Sequence, residues 1–415
     1  MSSRGKRSAA SISSEHSDEV YEYKGGLGVP RDVVSVKFHP DVTSVDDCAF
    51  QYCCSLRDVV FNEGLRLIGK NAFQYCAFES ITFPSTLEEI GEGAFKHCDG
   101  LEKVAFNMGL QRIGKMAFMY CSLLINVDLS FTNVEELKAD VFYGCKRLTK
   151  VVLNEGIKKM YHTFSQCTSL VDVNFPSSLV EIEAYTFYSC KMRVVELKEG
   201  LQEIAGNAFG DNSLLESITL PSTITNIPHD AIHDCANLRE VIMLNQDIRV
   251  CKNEYDSDND IFIQIETKKV FSRCPSLTYI SFPSLLSRLE EIVLAGQTQA
   301  RNKVNDIHGV QIRDGKVSIS ATFITEDQIY SDEESDSDNE SHPIVHLDWS
   351  AVRKKRDMIL DLIVFYEKRE ATCLFELALW KSQITIAEDN RNPIDREACR
   401  IDVPGPVKDA MLQYL

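Results

Sequence analysis

Nothing in the chain approaches the roughly 20 consecutive apolar residues that a membrane-spanning helix needs. The opening stretch, MSSRGKRSAASISSEHSDEV, has basic residues with no apolar run behind them, so no secretory signal peptide is expected. Positive charge is also scarce: 44 Lys and Arg stand against 62 Asp and Glu, a formal charge of −18 over 415 residues. Binding nucleic acid requires clustered bases that neutralise phosphates, and no such stripe is present. A phosphate-cradling glycine loop, a G-x-S-x-G elbow and an H-E-x-x-H helix are all missing too. These gaps point to a cytoplasmic non-enzyme with no cofactor, no nucleic-acid partner and no membrane association. What the chain does have is cysteine, 14 in all. In a reducing compartment these are expected to be thiols or metal ligands.

The cysteines follow a period. Phe50, Phe73, Phe95, Phe118, Phe142, Phe164, Phe187 and Phe209 are 23, 22, 23, 24, 22, 23 and 22 residues apart. Ile232 continues the register, and Phe271 resumes it after a gap of 39 residues. Three residues beyond each anchor lie Cys53, Cys76, Cys98, Cys121, Cys145, Cys167, Cys190, Asn212, Cys235 and Cys274. An apolar residue follows at plus six, as at Leu56, Leu101 and Leu124, with Phe78 and Met192 in the two shorter repeats. Then comes an alternating apolar pair such as Val59/Phe61 or Ile81/Phe83, which reads as a short strand. Steps such as Pro84-Ser85, Pro176-Ser177 and Pro221-Ser222 read as the turn that ends it. A second apolar pair, such as Leu87/Ile90, precedes the next anchor. One such unit cannot bury its own apolar face, whereas stacked units share a continuous core.

The phrase I-G-x-x-A-F-x-x-C-x-x-L-x-x-V/I-x-F/L resembles the BspA type of leucine-rich repeat. The resemblance covers residues 31–290 and implies a repeat solenoid, right-handed and curved or twisted, with a parallel β-sheet on one side. It is followed by a small α-helical C-terminal domain. The tail phrases ATCLFELALWK and REACRIDVPGPVK resemble tails behind such repeats in proteins of unicellular algae, which implies no activity.

Asn212 decides between the roles open to the cysteines. Asparagine forms no disulfide and replaces no zinc thiolate, but it does hydrogen-bond backbone groups in a turn. A ladder of inert buried thiols is therefore expected, satisfying main-chain groups that water cannot reach. His229 and His233 in HDAIHDC have metal-ligand spacing, but they align with variable polar positions such as Lys70 and Gln51 and are expected to face solvent. His342 and His346 sit beside a proline that disfavours a helix there. The run from Asp256 lacks the glycine and glutamate of a calcium loop, having Ile261 and Thr267 instead. No metal site is expected.

The expected organisation is a disordered segment over 1–30, then the solenoid over 31–290, about ten coils with an acidic surface loop inserted at 244–266. A capping helix and hairpin follow over 291–325, then an acidic disordered linker over 326–345 and a helical domain over 346–415. The linker holds eight acids and no base between Glu326 and Glu340, and such a run cannot collapse. Within it Ser331, Ser335 and Ser337 each have an acid three residues on, suiting an acid-directed serine kinase. Met358, Leu360, Leu362, Ile363 and Phe365, then Leu374, Phe375, Leu377, Leu379 and Trp380, have the spacing of two packed helices.

A repeat array offers a long sheet face whose outward side chains vary while the core stays fixed. The expected activity is binding of a protein partner on the outward strand positions of the central coils. These are Lys103, Ala105, Asn126, Asp128, Lys150, Val152, Asp172, Asn174 and Glu196. Two alternatives remain open: self-association through the C-terminal helices with the solenoid as spacer, and surface adhesion.

Overall fold

The structure is a computed structural model. It describes residues 20–228, 230–256, 261–266, 269–294, 299–314, 316–321, 323–325 and 345–368. The chain is a parallel β-solenoid of repeated coils, and it divides into two compact units, Met1–Asn154 and Glu155–Leu415.

In the first unit the alternating apolar pairs form the expected strands, Asp58–Val60, Ser80–Thr82, Lys103–Ala105, Asn126–Asp128 and Lys150–Val152. They pair in parallel, with Ile81 beside Val104 and Val127 beside Val151. The inner residue of each strand faces the core while its neighbours face water. A second parallel ladder, not expected from the sequence, runs through Ser44–Val45, Leu67–Ile68, Glu89–Ile90 and Arg112–Ile113.

Between the ladders the anchor rings are fully buried and stacked. Phe50, Phe73, Phe95, Phe118 and Phe142 have centroids 4.9, 5.3, 5.2 and 5.5 Å apart, with neighbouring planes within 13°. Each such pair contributes about 0.5–1.5 kcal/mol beyond area burial. Two residues per coil, two before and two after the anchor, have left-handed backbone, as at Asn71 (φ 52°) and Tyr75 (φ 64°). Alternating handedness sends three N–H groups toward the next coil. Asn71, Phe73 and Tyr75 donate to the carbonyls of Glu92, Ala94 and Lys96 at 2.8, 2.8 and 3.0 Å. This third ladder offsets the cost of left-handed backbone at bulky residues.

The N-terminal segment departs from the disorder expected over 1–30. Tyr21–Tyr23 pairs in parallel with Ser35–Phe38. Tyr23 is buried against Phe38 and Phe50, so it caps the apolar end of the stack. Residues 1–19 lie outside the described residues.

The second unit repeats the plan in Asp172–Asn174, Val194–Glu196, Ser217–Leu220 and Glu240–Met243. Its second ladder joins Lys159–Met160, Glu181–Ile182 and Glu203–Ile204. The 244–266 insertion is corrected from a surface loop to an antiparallel hairpin: Arg249–Asp256 pairs with Ile261–Glu266 and extends the ladder beside Asn226–Pro228. Its alternating isoleucines, Ile261, Ile263 and Ile265, carry the period of a strand.

The last coil ends in strand Tyr279–Phe282, which pairs antiparallel with Lys316–Ser320, itself paired with Val310–Arg313. The capping helix begins earlier than the expected 291, with α1 over Pro283–Leu294 and α2 over Gln299–Asn305. Strand Val345–Asp348 pairs with Lys269–Val270 and with Phe323–Thr325, so the helical domain expected from 346 opens on a strand. Helix α3 follows over 349–368, capped where the Asp348 carboxylate takes the Ala351 N–H at 3.1 Å. It buries Val352, Ile359, Ile363 and Tyr366, while Met358 and Phe365 are exposed. The acidic linker with its serines and the tail from Leu374 to Trp380 lie outside the described residues, apart from Val345.

Candidate binding surface

The cysteines build the floor beneath the surface. In the first unit thiols donate to the anchor carbonyl of the preceding coil, Cys76 to Phe50, Cys98 to Phe73 and Cys121 to Phe95, all at 3.2 Å, while at the first coil Cys53 donates to Pro30. In the second unit Cys190 reaches Phe164 at 3.4 Å and Cys235 reaches Phe209 at 3.5 Å. Asn212 takes the same place, its amide donating to the carbonyls of Phe187, Phe209 and Gly210 at 2.8, 3.0 and 3.3 Å. Burial pushes the thiols of Cys53, Cys76, Cys98, Cys121 and Cys190 up from the ordinary range. The Cys274 contact, then burial, does so for Cys235. These are poor nucleophiles and poor metal ligands.

His233 is less open than expected. Nδ1 lies 2.7 Å from the Asp234 carboxylate and Nε2 lies 2.7 Å from Asn207 Oδ1. Asn207 in turn donates to Asp230 at 3.1 Å, so the ring is held inside a polar network. His229 lies outside the described residues. Among those described, no group of His, Cys, Asp and Glu is arranged to hold a metal ion.

Over that floor, the outward strand residues stand in register. Lys103 and Asn126 are paired, as are Asn126 and Lys150, and Asp128 and Val152. Lys103, Ala105, Asn126, Asp128 and Lys150 are exposed, and Val152 is half-buried. The second unit likewise exposes Asp172, Asn174 and Glu196, the last paired with Thr219. Farther along this unit the face closes. Ser281 is buried and bonds to Ser318 at 3.0 Å, Lys316 reaches Glu240 at 2.8 Å, and Arg313 covers the Tyr279 ring at 3.5 Å. Added antiparallel strands therefore seal the last outward positions, and the open face is confined to earlier coils.

Another surface feature is absent from the expectations. In the first unit the left-handed position after the anchor carries Tyr52, Tyr75, His97 and Tyr120, whose rings stack at 5.0, 4.7 and 4.8 Å. Burial between the tyrosines pushes the His97 imidazole below its ordinary range. The repeated F-x-[Y/H]-C was the signal for it. The same repeat position holds Gln166, Ser189 and Asp211 in the second unit, so the stripe is a property of the first.

Repeated coils, a stacked aromatic core and an inner thiol ladder define a leucine-rich repeat solenoid. The family described as "BspA type leucine rich repeat region (6 copies)" matches at residues 43–163 and 135–261, more than half of the chain. The chain belongs to that family. Solved structures with similar folds include a leucine-rich repeat protein from Bacteroides ovatus. It is 19% identical with a TM-score of 0.42, over 61% of this chain and 67% of that one. The T. pallidum leucine-rich repeat protein is 27% identical with a TM-score of 0.36, over 41% and 80%. A leucine-rich cell surface protein from Faecalibacterium prausnitzii is 19% identical with a TM-score of 0.30, over 51% and 79%. No curated protein matches this sequence.

Proposed function

We propose that this protein is a cytoplasmic, non-enzymatic scaffold that binds a protein partner through the outward residues of its first ladder. One observation carries the reading: in Lys103–Ala105 and Asn126–Asp128 the inner residues, Val104 and Val127, are half-buried and buried while both flanking side chains face water. The ladder consumes the main-chain hydrogen bonds, so recognition falls to these side chains, which are free to vary. Their mix of charge and size suits a folded protein surface better than a repetitive polymer. Affinity purification with Lys103→Glu/Asn126→Ala should recover less partner than the wild type, with unchanged thermal unfolding. Equal recovery of the same partner would refute the assignment.

Self-association through the C-terminal region is a second reading, supported by the exposure of Met358 and Phe365 on α3. Sedimentation of the full chain separates the two, since a monomer across a concentration series removes the second.

A further inference from the structure

The row of rings on the first unit is not a requirement of the turn that carries it. Tyr52, Tyr75, His97 and Tyr120 have φ of 65°, 64°, 58° and 60°. The same left-handed place in the second unit holds Gln166 at 61°, Ser189 at 57° and Asp211 at 55°. Glutamine, serine and aspartate serve the backbone there, so the rings are additional to it.

The faces of the rings are already covered. Neighbouring planes lie within 23° of parallel, so Tyr75 and His97 are each stacked on both sides. At one end the Arg31 guanidinium lies 5.8 Å from the Tyr52 ring. At the other a Cβ on Gly144 would lie 2.6 Å from Tyr120 Cδ1, so the glycine lets that ring rest against the next coil. Edges are what the row offers, with Tyr52 49% exposed and the other three half-buried. A nucleobase, which stacks on an aromatic face, finds none free.

Spacing and charge narrow the ligand further. Steps of 5.0 Å and then 4.7 Å take the row about 9.7 Å from Tyr52 to His97. A polyproline II helix makes one turn of three residues in about 9.3 Å. A β-strand repeats one side every ~6.7 Å and an α-helix turns every ~5.4 Å, and both drift more than ~1 Å from the rings before the row ends. The row is also uncharged, because burial holds the His97 imidazole below its ordinary range. Tyrosine hydroxyls and a neutral imidazole N–H donate hydrogen bonds. A polyproline II segment leaves its carbonyls free to accept them, and its prolines have no N–H to satisfy.

We propose that Tyr52, Tyr75 and His97 form a docking strip for a proline-rich segment of another protein, bound in polyproline II conformation along the row. Tyr52 and His97 donate to carbonyls one turn apart, and a proline ring packs on the Tyr75 edge between them. The strip lies on the turn, apart from Lys103 and Asn126, so its failure and that of the ladder face are distinguishable.

The full chain is used to select from a displayed library of random peptides, and the selected peptides are titrated against two variants. Tyr52→Gln/Tyr75→Gln removes the rings and leaves a residue that the left-handed place accepts at Gln166. If loss of stacking unfolds it, Tyr52→Gln alone, at the exposed end of the row, carries the comparison. Wild type should select peptides with prolines three residues apart. These should bind the ring variant about tenfold or more weakly, and Lys103→Glu/Asn126→Ala as well as wild type. Peptides without that proline spacing, no selection at all, or equal binding by the ring variant would overturn the proposal. So would loss of binding in the ladder variant, which would assign the peptides to the other face.

Discussion

At the scale of the residue, cysteine every 22 to 24 positions is a hydrogen-bond donor rather than a reactive group. The sequence made this legible through one exception, because Asn212 shares no covalent or metal chemistry with a thiolate and does share the ability to donate to a carbonyl. The left-handed positions were not legible. Local propensity favours Gly or Asn there, and only the cross-coil hydrogen bonds permit Tyr75, His97 or Tyr120. The thiols also make a pH prediction. Their folded pKa values lie above the unfolded ones, so the stability they contribute is complete below the ordinary thiol range near 9 and is lost as pH rises. Above that range each buried thiol removes up to about 1.4 kcal/mol per pH unit, because the unfolded chain releases protons that the folded chain keeps. Tyr23, pushed up to about 12 by burial, adds to the loss at higher pH. Urea unfolding from about pH 8 to 10 should therefore show a steep decline, and a flat profile would mean that the thiols are open to solvent.

At the scale of the element, alternation over three or four residues made the first ladder readable in advance, and its observed strands fall on the expected pairs. The second ladder has strands of two residues, such as Leu67–Ile68, too short to display a period. The 244–266 hairpin was hidden by its acidic composition, although the alternating isoleucines of Ile261–Glu266 were present. The glycine four residues before three of the anchors, Gly69, Gly91 and Gly114, also belongs to this scale. A Cβ on Gly91 would lie 2.7 Å from the Gly69 carbonyl carbon and 2.7 Å from the Ile68 oxygen, both backbone atoms of the preceding coil. Gly91→Ala should therefore separate the coils and cost about 1–3 kcal/mol, read by denaturant unfolding. Gly64, whose nearest neighbours stand at 3.2 Å or more, should tolerate the same change better.

At the scale of the molecule, function divides between the constant interior and the variable exterior. The interior was legible because every coil repeats it. The surface was only partly so, since outward positions can be enumerated from the strand pattern, but which of them stay open depends on the strands added after Phe282. The account rests on stacked coils sealing their cysteines inside, and peptide-resolved alkylation under native conditions tests this most directly. Cys48 and Cys54, both exposed, should be modified rapidly. The nine buried cysteines of the coils, from Cys53 to Cys274, should remain unmodified thiols until denaturant unfolds the units that hold them. Native modification of Cys98 or Cys121 at the rate of Cys54, or their recovery as disulfides, would contradict it.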